Sequence, residues 1–207
     1  MPGTTDEKQL VQKCLMGEPF AWNQLFDLFY QPTARFVFQV SASFNKEDVE
    51  EICQETFLNV VHNLSSFRGQ SGIQTWIFRI ASNKAHDFIA RRSTLKRGSG
   101  LISSLNETHP DGQEKYQPES NEKSPDQVVI AGEQKQELSL ALEKLGPPCQ
   151  EVIELRYFGD LSYEEIGRAL KLNVKTVSSR LSKCLNKLEQ TFIQISGSKA
   201  EGMPSNV

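Results

Sequence analysis

Apolar residues along this chain recur every three to four positions, which is the spacing of amphipathic helices, and no stretch shows convincing strand alternation. A first helix is predicted over DEKQLVQKCLM and ends at Gly17. Pro19 suits the first turn of a second helix, PFAWNQLFDLFYQPTARFVFQVSASF, in which Pro32 predicts a kink or break. A third helix, KEDVEEICQETFLNVVHNL, opens on acidic residues that the helix dipole favours. The loop SSFRGQSG separates it from a fourth helix that extends to Arg92.

The pattern changes after Arg92. Residues 93–127 are rich in Ser, Gly and Pro and show almost no periodicity, so they lack the apolar area that would offset the entropy of ordering. We therefore predict a flexible, net acidic linker. It either only connects two folded parts or also serves as an autoinhibitory decoy for a basic surface.

Helical periodicity resumes near Val128. One helix is predicted up to the GPP sequence, and another follows in CQEVIELRYF. Ser162 and Glu165 form an S-x-x-E capping box for SYEEIGRAL, and Asn173 is a favourable N-cap for the final helix, VKTVSSRLSKCLNKL. The whole pattern predicts an all-α protein. Two small helical domains, residues 1–92 and 128–192, flank the flexible linker, and residues 193–207 form a disordered tail.

Residues 164–187 have the pattern of a helix-turn-helix: a short helix, a tight turn and a longer helix with a polar outer face. Lys171 occupies the turn position where glycine is common, which predicts a mildly strained left-handed backbone. The apolar residues of the last helix gather on one side: Val174, Val177, Leu181, Cys184, Leu185 and Leu188. The opposite side carries cations and short hydrogen-bonding side chains. A helix that enters the major groove needs this arrangement, so DNA binding is favoured over an ordinary solvated surface.

The formal net charge is −3, yet the charges are segregated along the chain. Residues 1–66 contain four Lys or Arg against nine Asp or Glu. Residues 67–97 contain seven cations against one acid, and residues 168–187 contain six against none. Because phosphate binding requires only a local positive potential, both cationic segments are candidates for nucleic-acid contact.

The fourth predicted helix combines an apolar face with an aromatic ring on the other side. Its apolar face consists of Ile77, Phe78, Ala81, Ala85, Phe88 and Ile89. Trp76 lies opposite, in line with Arg79, Asn83 and Asp87. A ring beside a cation is typical of surfaces that stack the bases of single-stranded nucleic acid. The wheel equally allows another helix to cover this face, in which case Trp76 belongs to the core.

Other kinds of site leave no comparable pattern. The four cysteines and three histidines are scattered, so we predict no metal site, no cofactor and no cysteine nucleophile, and we expect reduced cysteines lying partly in cores. No catalytic constellation can be assembled, which argues against an enzyme. No apolar run could span a membrane and the first residues show no secretory signal, so we expect a cytoplasmic protein without membrane insertion.

Two blocks of sequence together resemble a known family. DVEEICQETFLNV and FRGQSGIQTWIFRIASNKAHDFIARR are similar to the central DNA-melting domain of bacterial sigma factors of the sigma-70 family. LEKLGPPCQEVIELRYFGDLSYEEIGRALKLNVKTVSSRLSKCLNKL is similar to their C-terminal promoter-binding domain. Two domains, one linker and little else resemble the compact extracytoplasmic-function (ECF) class. The resemblance implies an initiation factor that binds core RNA polymerase, directs it to promoters and promotes strand opening.

The resemblance also implies roles for the matched positions. The acidic third helix would dock on the clamp of the polymerase large subunit through Asp48, Glu51, Gln54, Glu55 and Leu58, and the C-terminal domain would contact the flap. The unpaired strand of the minus-ten element would be captured by Arg68, Ser71, Thr75, Trp76, Arg79, Asn83, Lys84, Arg91 and Arg92. The duplex minus-thirty-five element would be read by Asn173, Lys175, Thr176, Ser178, Ser179, Arg180, Ser182 and Lys183. An anti-sigma factor is a further implied partner.

Alternative functions of other classes remain open at this point. A repressor or activator would use the helix-turn-helix without docking on polymerase, and would bind specific duplex DNA as an isolated protein. A pure interaction module, such as an adaptor, would need neither cationic segment.

Overall fold

The structure is a computed structural model that describes residues 5–98 and 125–200. Every regular element in these two ranges is a helix, which confirms the all-α prediction. The elements are α1 (Thr5–Leu15), α2 (Pro19–Val40), α3 (Lys46–Asn63), a single 3₁₀ turn (Leu64–Ser66), α4 (Ile73–Gly98), α5 (Pro125–Glu143), α6 (Pro147–Tyr157), α7 (Tyr163–Leu170) and α8 (Val174–Ala200).

Helix α2 runs without interruption through Pro32, so the predicted break does not occur. Proline lacks the N–H that would bond to the carbonyl one turn earlier. The next residue reinforces the same turn, because the buried Thr33 hydroxyl donates to the Phe29 carbonyl oxygen at 2.6 Å. Leu25, Phe29 and Phe36 are also buried along this helix. Packing on both sides of the proline therefore keeps the helix continuous.

Helices extend beyond the predicted domain limits. Helix α4 continues to Gly98, α5 begins at Pro125 and α8 continues to Ala200, so the predicted linker and tail are each partly helical. Near its end, α8 is tied to α5 because the Ser196 hydroxyl donates to a Glu137 carboxylate oxygen at 2.8 Å. Residues 99–124 and 201–207, where the rest of those two predictions fall, lie outside the described residues.

Polar caps define the helix starts that the sequence predicted. The Ser162 hydroxyl accepts from the Glu165 backbone N–H while the Glu165 carboxylate accepts from Ser162, which is the predicted capping box of α7. The Asn173 side chain accepts from the Thr176 backbone N–H at 2.7 Å and begins α8. A capping box between Asn45 and the Asp48 carboxylate begins α3.

The first of two apolar cores, here called the N-terminal core, lies between α1, α2, α3 and the start of α4. It contains Leu10, Val11, Cys14, Ala21, Leu25, Phe29, Phe57, Val60, Leu64, Ile73 and Ile77. Trp76 packs against this core, and its ring lies 5.5 Å from that of Phe67, centroid to centroid. Trp76 is therefore partly buried against the N-terminal core, as the core interpretation of the helical wheel predicted, and part of its ring stays exposed.

The second core, here called the shared core, joins α2, α3 and α4 to the C-terminal helices α5 to α8. Phe36 and Phe78 stack within it with ring centroids 4.6 Å apart. On the other side, Phe78 reaches Gly159, where an added Cβ would lie only 3.1 Å from the Phe78 ring. The absence of a side chain at Gly159 thus lets the two domains approach closely.

A disulfide links Cys149 of α6 to Cys184 of α8, so the expectation that all four cysteines are reduced is wrong for this pair. The two residues are 35 positions apart, and their Cα atoms lie 5.3 Å apart only because α6 packs on α8. A sequence gives no such distance. Cys14 and Cys53 are free and buried, and burial raises the pKa of Cys53 to about 12, so its thiol is a poor nucleophile.

None of the helices in the described ranges is both long and apolar enough to cross a membrane. The same part of the chain contains no group of three or more His, Cys, Asp or Glu residues arranged to hold a metal ion.

Loss of the α7 cap gives a direct test of this local structure. Replacing Ser162 by Ala removes a hydroxyl that satisfies an otherwise unbonded N–H, so the free energy of unfolding should fall by about 1 kcal/mol. Urea unfolding followed by circular dichroism measures the change. Ser65→Ala, at an exposed position, is the control. Equal stabilities for the two variants would contradict the assignment of the cap.

Candidate nucleic-acid interface

Helix α8 presents the predicted polar face to solvent. Lys175, Ser178, Ser179, Ser182 and Lys183 are all exposed, and Asn186 and Lys187 extend the same face. Val177, Leu181 and Cys184 are buried on the opposite side. Val174 departs from the predicted apolar face, since it lies in the first turn and is 42% exposed.

The turn before α8 fixes how that face is presented. Lys171 has φ 56° and ψ 42°, the left-handed conformation predicted for it. Gly167 lies beneath the turn, where an added Cβ would be 2.7 Å from the Leu172 carbonyl oxygen. The close approach made possible by this glycine lets α8 pack tightly against α7. The outer face of α8 is therefore held rigidly on a helix-turn-helix scaffold.

Hydroxyl groups at the start of α8 form hydrogen bonds with other groups of the same helix and its N-cap. The Thr176 hydroxyl donates to the Asn173 side chain at 2.9 Å, and the Ser179 hydroxyl donates to the Thr176 carbonyl oxygen at 3.1 Å. Each hydroxyl oxygen retains lone pairs that can accept from a base. Arg180 is half-buried at the margin of the face. The eight predicted duplex-reading residues thus lie together in the N-terminal part of α8 and at its N-cap.

The predicted strand-capturing residues differ from one another in their exposure to solvent. Arg68 and Asn83 are exposed, whereas Ser71 and Thr75 are buried, with Thr75 only 2% exposed. Two of the predicted contacts therefore lie inside the N-terminal domain in this structure. The family resemblance assigned Thr75 to DNA, and matching residues along the sequence does not show which neighbouring helix covers a position.

Arg79 is bound by the C-terminal domain. Its Nε donates to a Glu151 carboxylate oxygen at 3.1 Å, and its Nη1 donates to the Ala169 carbonyl oxygen at 2.9 Å. The arginine that the sequence assigns to single-stranded DNA is thus already occupied by an acid and a helix C-terminus.

Three more of the predicted DNA-binding cations pair with the predicted docking acids. Arg91 donates to Glu55 at 2.9 Å, Lys84 lies 3.6 Å from the other oxygen of Glu55, and Arg92 donates to Asp48 at 2.9 Å. The cations of α4 and the acids of α3 therefore neutralise one another along the contact between the two helices. This arrangement follows from α3 and α4 lying side by side, which the sequence alone does not show.

The remaining docking residues form an exposed ridge on α3. Glu51, Gln54 and Leu58 are exposed, and Leu58 is 59% exposed despite being apolar. Sequence reasoning missed the continuation of this ridge at Val61, which is 51% exposed. It also missed the adjacent groove of about 300 Å³, which is lined by Trp22, Asn23, Leu25, Phe26, Phe57, Val60 and Val61. An exposed apolar surface of this kind is typical of protein contacts.

Sequence reasoning also missed Glu154, which is 1% exposed. The Ser82 hydroxyl donates to its Oε2 at 2.6 Å, and His86 Nε2 lies 2.8 Å from its Oε1. Burial by itself would lower the pKa of His86, but the hydrogen bond and negative charge of Glu154, with the charges of Glu143 and Asp87, outweigh that effect and raise the pKa. The sequence feature that could have indicated the burial of Glu154 is its position among apolar residues in VIEL, whose four residues are all buried.

Comparison with known proteins identifies both domains. Residues 25–94 match the family model "Sigma-70 region 2" and residues 135–188 match "Sigma-70, region 4". The ECF RNA polymerase sigma-E factor of Escherichia coli strain K12 is 29% identical over 175 residues, covering 84% of this chain and 88% of that protein. The protein of the same name from Haemophilus influenzae is 23% identical over 183 residues, covering 88% and 93%.

Two solved structures share the fold. CnrH, in complex with the cytosolic domain of CnrY, aligns with a TM-score of 0.56 at 22% identity and covers 89% of this chain and 95% of that one. The sigma factor RpoE from Bartonella quintana, in complex with the anti-sigma factor NepR, aligns with a TM-score of 0.50 at 20% identity, covering 82% and 94%.

Region 2 precedes region 4 on this chain, and each matched segment lies within one of the two helical parts described above. The protein therefore belongs to the sigma-70 family of transcription initiation factors, in its ECF class.

Proposed function

We propose that this protein binds core RNA polymerase, directs it to specific promoters and promotes opening of the DNA strands. The observation that carries the proposal is the presence of both family regions on one chain, with an exposed cationic face on the second of them that carries no acid between Lys175 and Lys187 of α8. A repressor or adaptor would not need the first region. That difference favours an initiation factor over both alternatives.

The proposed mechanism needs no covalent chemistry from this chain. Helix α8 reads duplex DNA at the minus-thirty-five element, and α4 with the loop before it captures the unpaired strand of the minus-ten element. A protein that binds separated strands more tightly than duplex shifts the equilibrium towards opening, by the difference between the two affinities. Polymerase supplies the catalysis, so we propose no enzymatic activity for this protein.

The partners follow from the same surfaces. The α3 ridge of Glu51, Gln54 and Leu58 would meet the clamp of the polymerase large subunit, where the outward acid favours a salt-sensitive contact. The C-terminal domain would contact the flap. Since core polymerase and promoter DNA are its targets, we place the protein in the cytoplasm. We also propose an anti-sigma factor as a regulator, as in the complex of RpoE with NepR.

Salt dependence tests the proposed duplex contact of α8. Lys175→Gln removes an exposed cation, so the slope of log K against log salt for holoenzyme binding to promoter DNA should become shallower by about 1. Lys144→Gln, an exposed lysine beyond the end of α5, should leave the slope unchanged. Identical slopes for both variants would remove Lys175 from the interface.

Strand capture can be tested at Trp76 with a substitution that removes the ring but keeps part of its apolar volume. Because Trp76 also packs against the N-terminal core, we combine Trp76→Leu, which keeps apolar volume, with Asn83→Ala at an exposed position. Loss of base stacking should lower permanganate reactivity of promoter thymines by about tenfold while core-polymerase binding persists. Asp87→Asn, also exposed on α4, is the control. Undiminished thymine reactivity in the double variant would refute the stacking role.

The proposed docking on core polymerase can be tested by reversing the charge of one exposed acidic side chain. Glu51→Arg on α3 should weaken binding to core polymerase by about tenfold, and more strongly at low salt, because a favourable charge contact becomes repulsive. Asp87→Arg makes the same charge change on α4. Titration of labelled protein with core polymerase gives both affinities. Equal affinities would show that the ridge is not the docking surface.

A further inference from the structure

The Cys149–Cys184 disulfide lies outside the exposed faces that we propose for DNA and for polymerase. We place the protein in the cytoplasm, where thiols are kept reduced. The disulfides that do form in that compartment are for the most part transient, and they serve in catalysis or in redox sensing. A disulfide in this chain is therefore expected to be one that the cell can both form and break.

The two bonded cysteines differ in their exposure to solvent. Cys184 is 3% exposed and lies with Leu181 on the apolar side of α8, whereas Cys149 is partly exposed at the start of α6. The other two cysteines of the chain, Cys14 and Cys53, are free and buried. Cys149 is thus the one cysteine of the four that is not buried, and a dissolved reagent would reach the bond from its side.

The position of Cys149 in α6 also makes it the more reactive member of the pair. Pro147 and Pro148 begin the helix, so Cys149 lies in the first turn, and that turn contains no acidic side chain. A helix N-terminus stabilises negative charge and so favours the thiolate. The thiolate is the form that attacks peroxides and disulfides. The apolar surroundings of Cys184 favour its neutral thiol instead.

The bond constrains the helix that carries the predicted duplex-reading face. Cys184 lies on the buried side of α8, behind the exposed Ser182 and Lys183. The bond joins α8 to α6 across a sequence separation of 35 residues. Closing a loop of that length removes conformational freedom from any state in which α8 has left α6. Without the bond, only noncovalent packing, such as that of Val177 and Leu181, keeps α8 in place.

We propose that Cys149 and Cys184 form a site of reversible oxidation by hydroperoxides, and that the oxidised form binds duplex DNA more tightly than the reduced form. Cys149 reacts first with the peroxide, and Cys184 converts the product into the disulfide. Oxidation thereby holds α8 in the orientation that reads duplex DNA, and reduction loosens it. The effect on DNA rests on the proposed function, whereas the oxidation itself can be measured without it.

Oxidation transfers two electrons from the pair of thiols to the peroxide. The Cys149 thiolate attacks one oxygen of hydrogen peroxide, the O–O bond breaks, and the departing hydroxide takes up a proton and leaves as water. This step converts Cys149 into a sulfenic acid. The Cys184 thiol then attacks the sulfur of the sulfenic acid, and its proton leaves with the hydroxyl group as a second water while the disulfide forms.

Reduction requires a dithiol, which supplies the two electrons. One of its thiolates attacks Cys149 Sγ, and the electron pair of the broken S–S bond goes to Cys184 Sγ, which takes up a proton. The second thiol of the reagent then attacks the mixed disulfide. This releases the Cys149 thiolate and leaves the reagent as its own disulfide.

Trapping the sulfenic acid tests the order of these steps. Reduced full-length protein is treated with an equimolar amount of hydrogen peroxide in the presence of dimedone, and labelled peptides are identified by mass spectrometry. Cys184→Ala lacks the thiol that consumes the sulfenic acid, so it should accumulate label at Cys149, whereas Cys149→Ala should carry none at Cys184. Unmodified protein should instead lose both thiols to the disulfide, as measured with N-ethylmaleimide. Persistence of both thiols in unmodified protein, or label at Cys184 alone, would overturn the proposal.

Duplex binding tests the effect on α8. Holoenzyme is assembled from core polymerase and protein that has first been oxidised or reduced, freed of reagent and kept under nitrogen, and its affinity for promoter duplex is measured. The reduced form should bind about tenfold more weakly, as expected if α8 then keeps its DNA-binding orientation for about one tenth of the time. Cys149→Ser cannot form the bond and should match the reduced protein after either treatment. Cys14→Ala, which removes a cysteine of the N-terminal core, should keep the full difference.

Three results of these measurements would contradict the proposal. Equal affinities of the oxidised and reduced forms would show that the bond does not control duplex binding. A difference that persisted in Cys149→Ser would assign the effect to another group. A bond that dithiothreitol failed to reduce in the folded protein would be a permanent structural disulfide. If holoenzyme bound no promoter in either state, the proposed function would fail, while titration of the thiols would still report the reversible oxidation.

Discussion

Glu154 lies where the two domains meet, with its carboxylate oxygens bonded to Ser82 and His86 and almost no contact with water. Around it the shared core is apolar, and the Phe78 ring packs between Phe36 and Gly159. A carboxylate in such surroundings must keep its partners, so it fixes one orientation of α6 against α4. The exposure of Arg79 on α4 depends on this orientation, because Glu151 and the Ala169 carbonyl oxygen bind it only when α6 and α7 lie against α4.

Ion pairs within the chain join residues assigned to DNA binding with residues assigned to polymerase docking. Lys84, Arg91 and Arg92 are neutralised by Glu55 and Asp48, which the family resemblance assigns to polymerase docking. A partner that draws the acids away would leave cations free for phosphate, and DNA that draws the cations away would leave acids free for polymerase. We therefore expect the binding of polymerase and the binding of DNA to be linked through these shared side chains.

The sequence predicted the helices, their caps and the outer face of α8 well, because these depend on local spacing and on residues three or four apart. Ser162 with Glu165 and Asn173 with Thr176 are such pairs. It could not predict the Cys149–Cys184 disulfide, the pairing of Arg79 with Glu151 or the burial of Thr75. Each of these depends on which helices pack together, and periodicity within one helix carries no information about its neighbour. Pro32 failed as a break for the same reason, since packing on both sides holds α2 together.

We propose that an otherwise acidic chain carries one cationic helix that binds paired bases and another that binds unpaired bases, and that both act when the protein is bound to polymerase. Run-off transcription of a genomic fragment library with purified core polymerase, followed by mapping of RNA 5′ ends, tests this claim most directly. We expect the protein to produce transcripts from a set of sites that core polymerase alone ignores, with common sequence at two upstream positions. Transcripts from no new site would contradict the account.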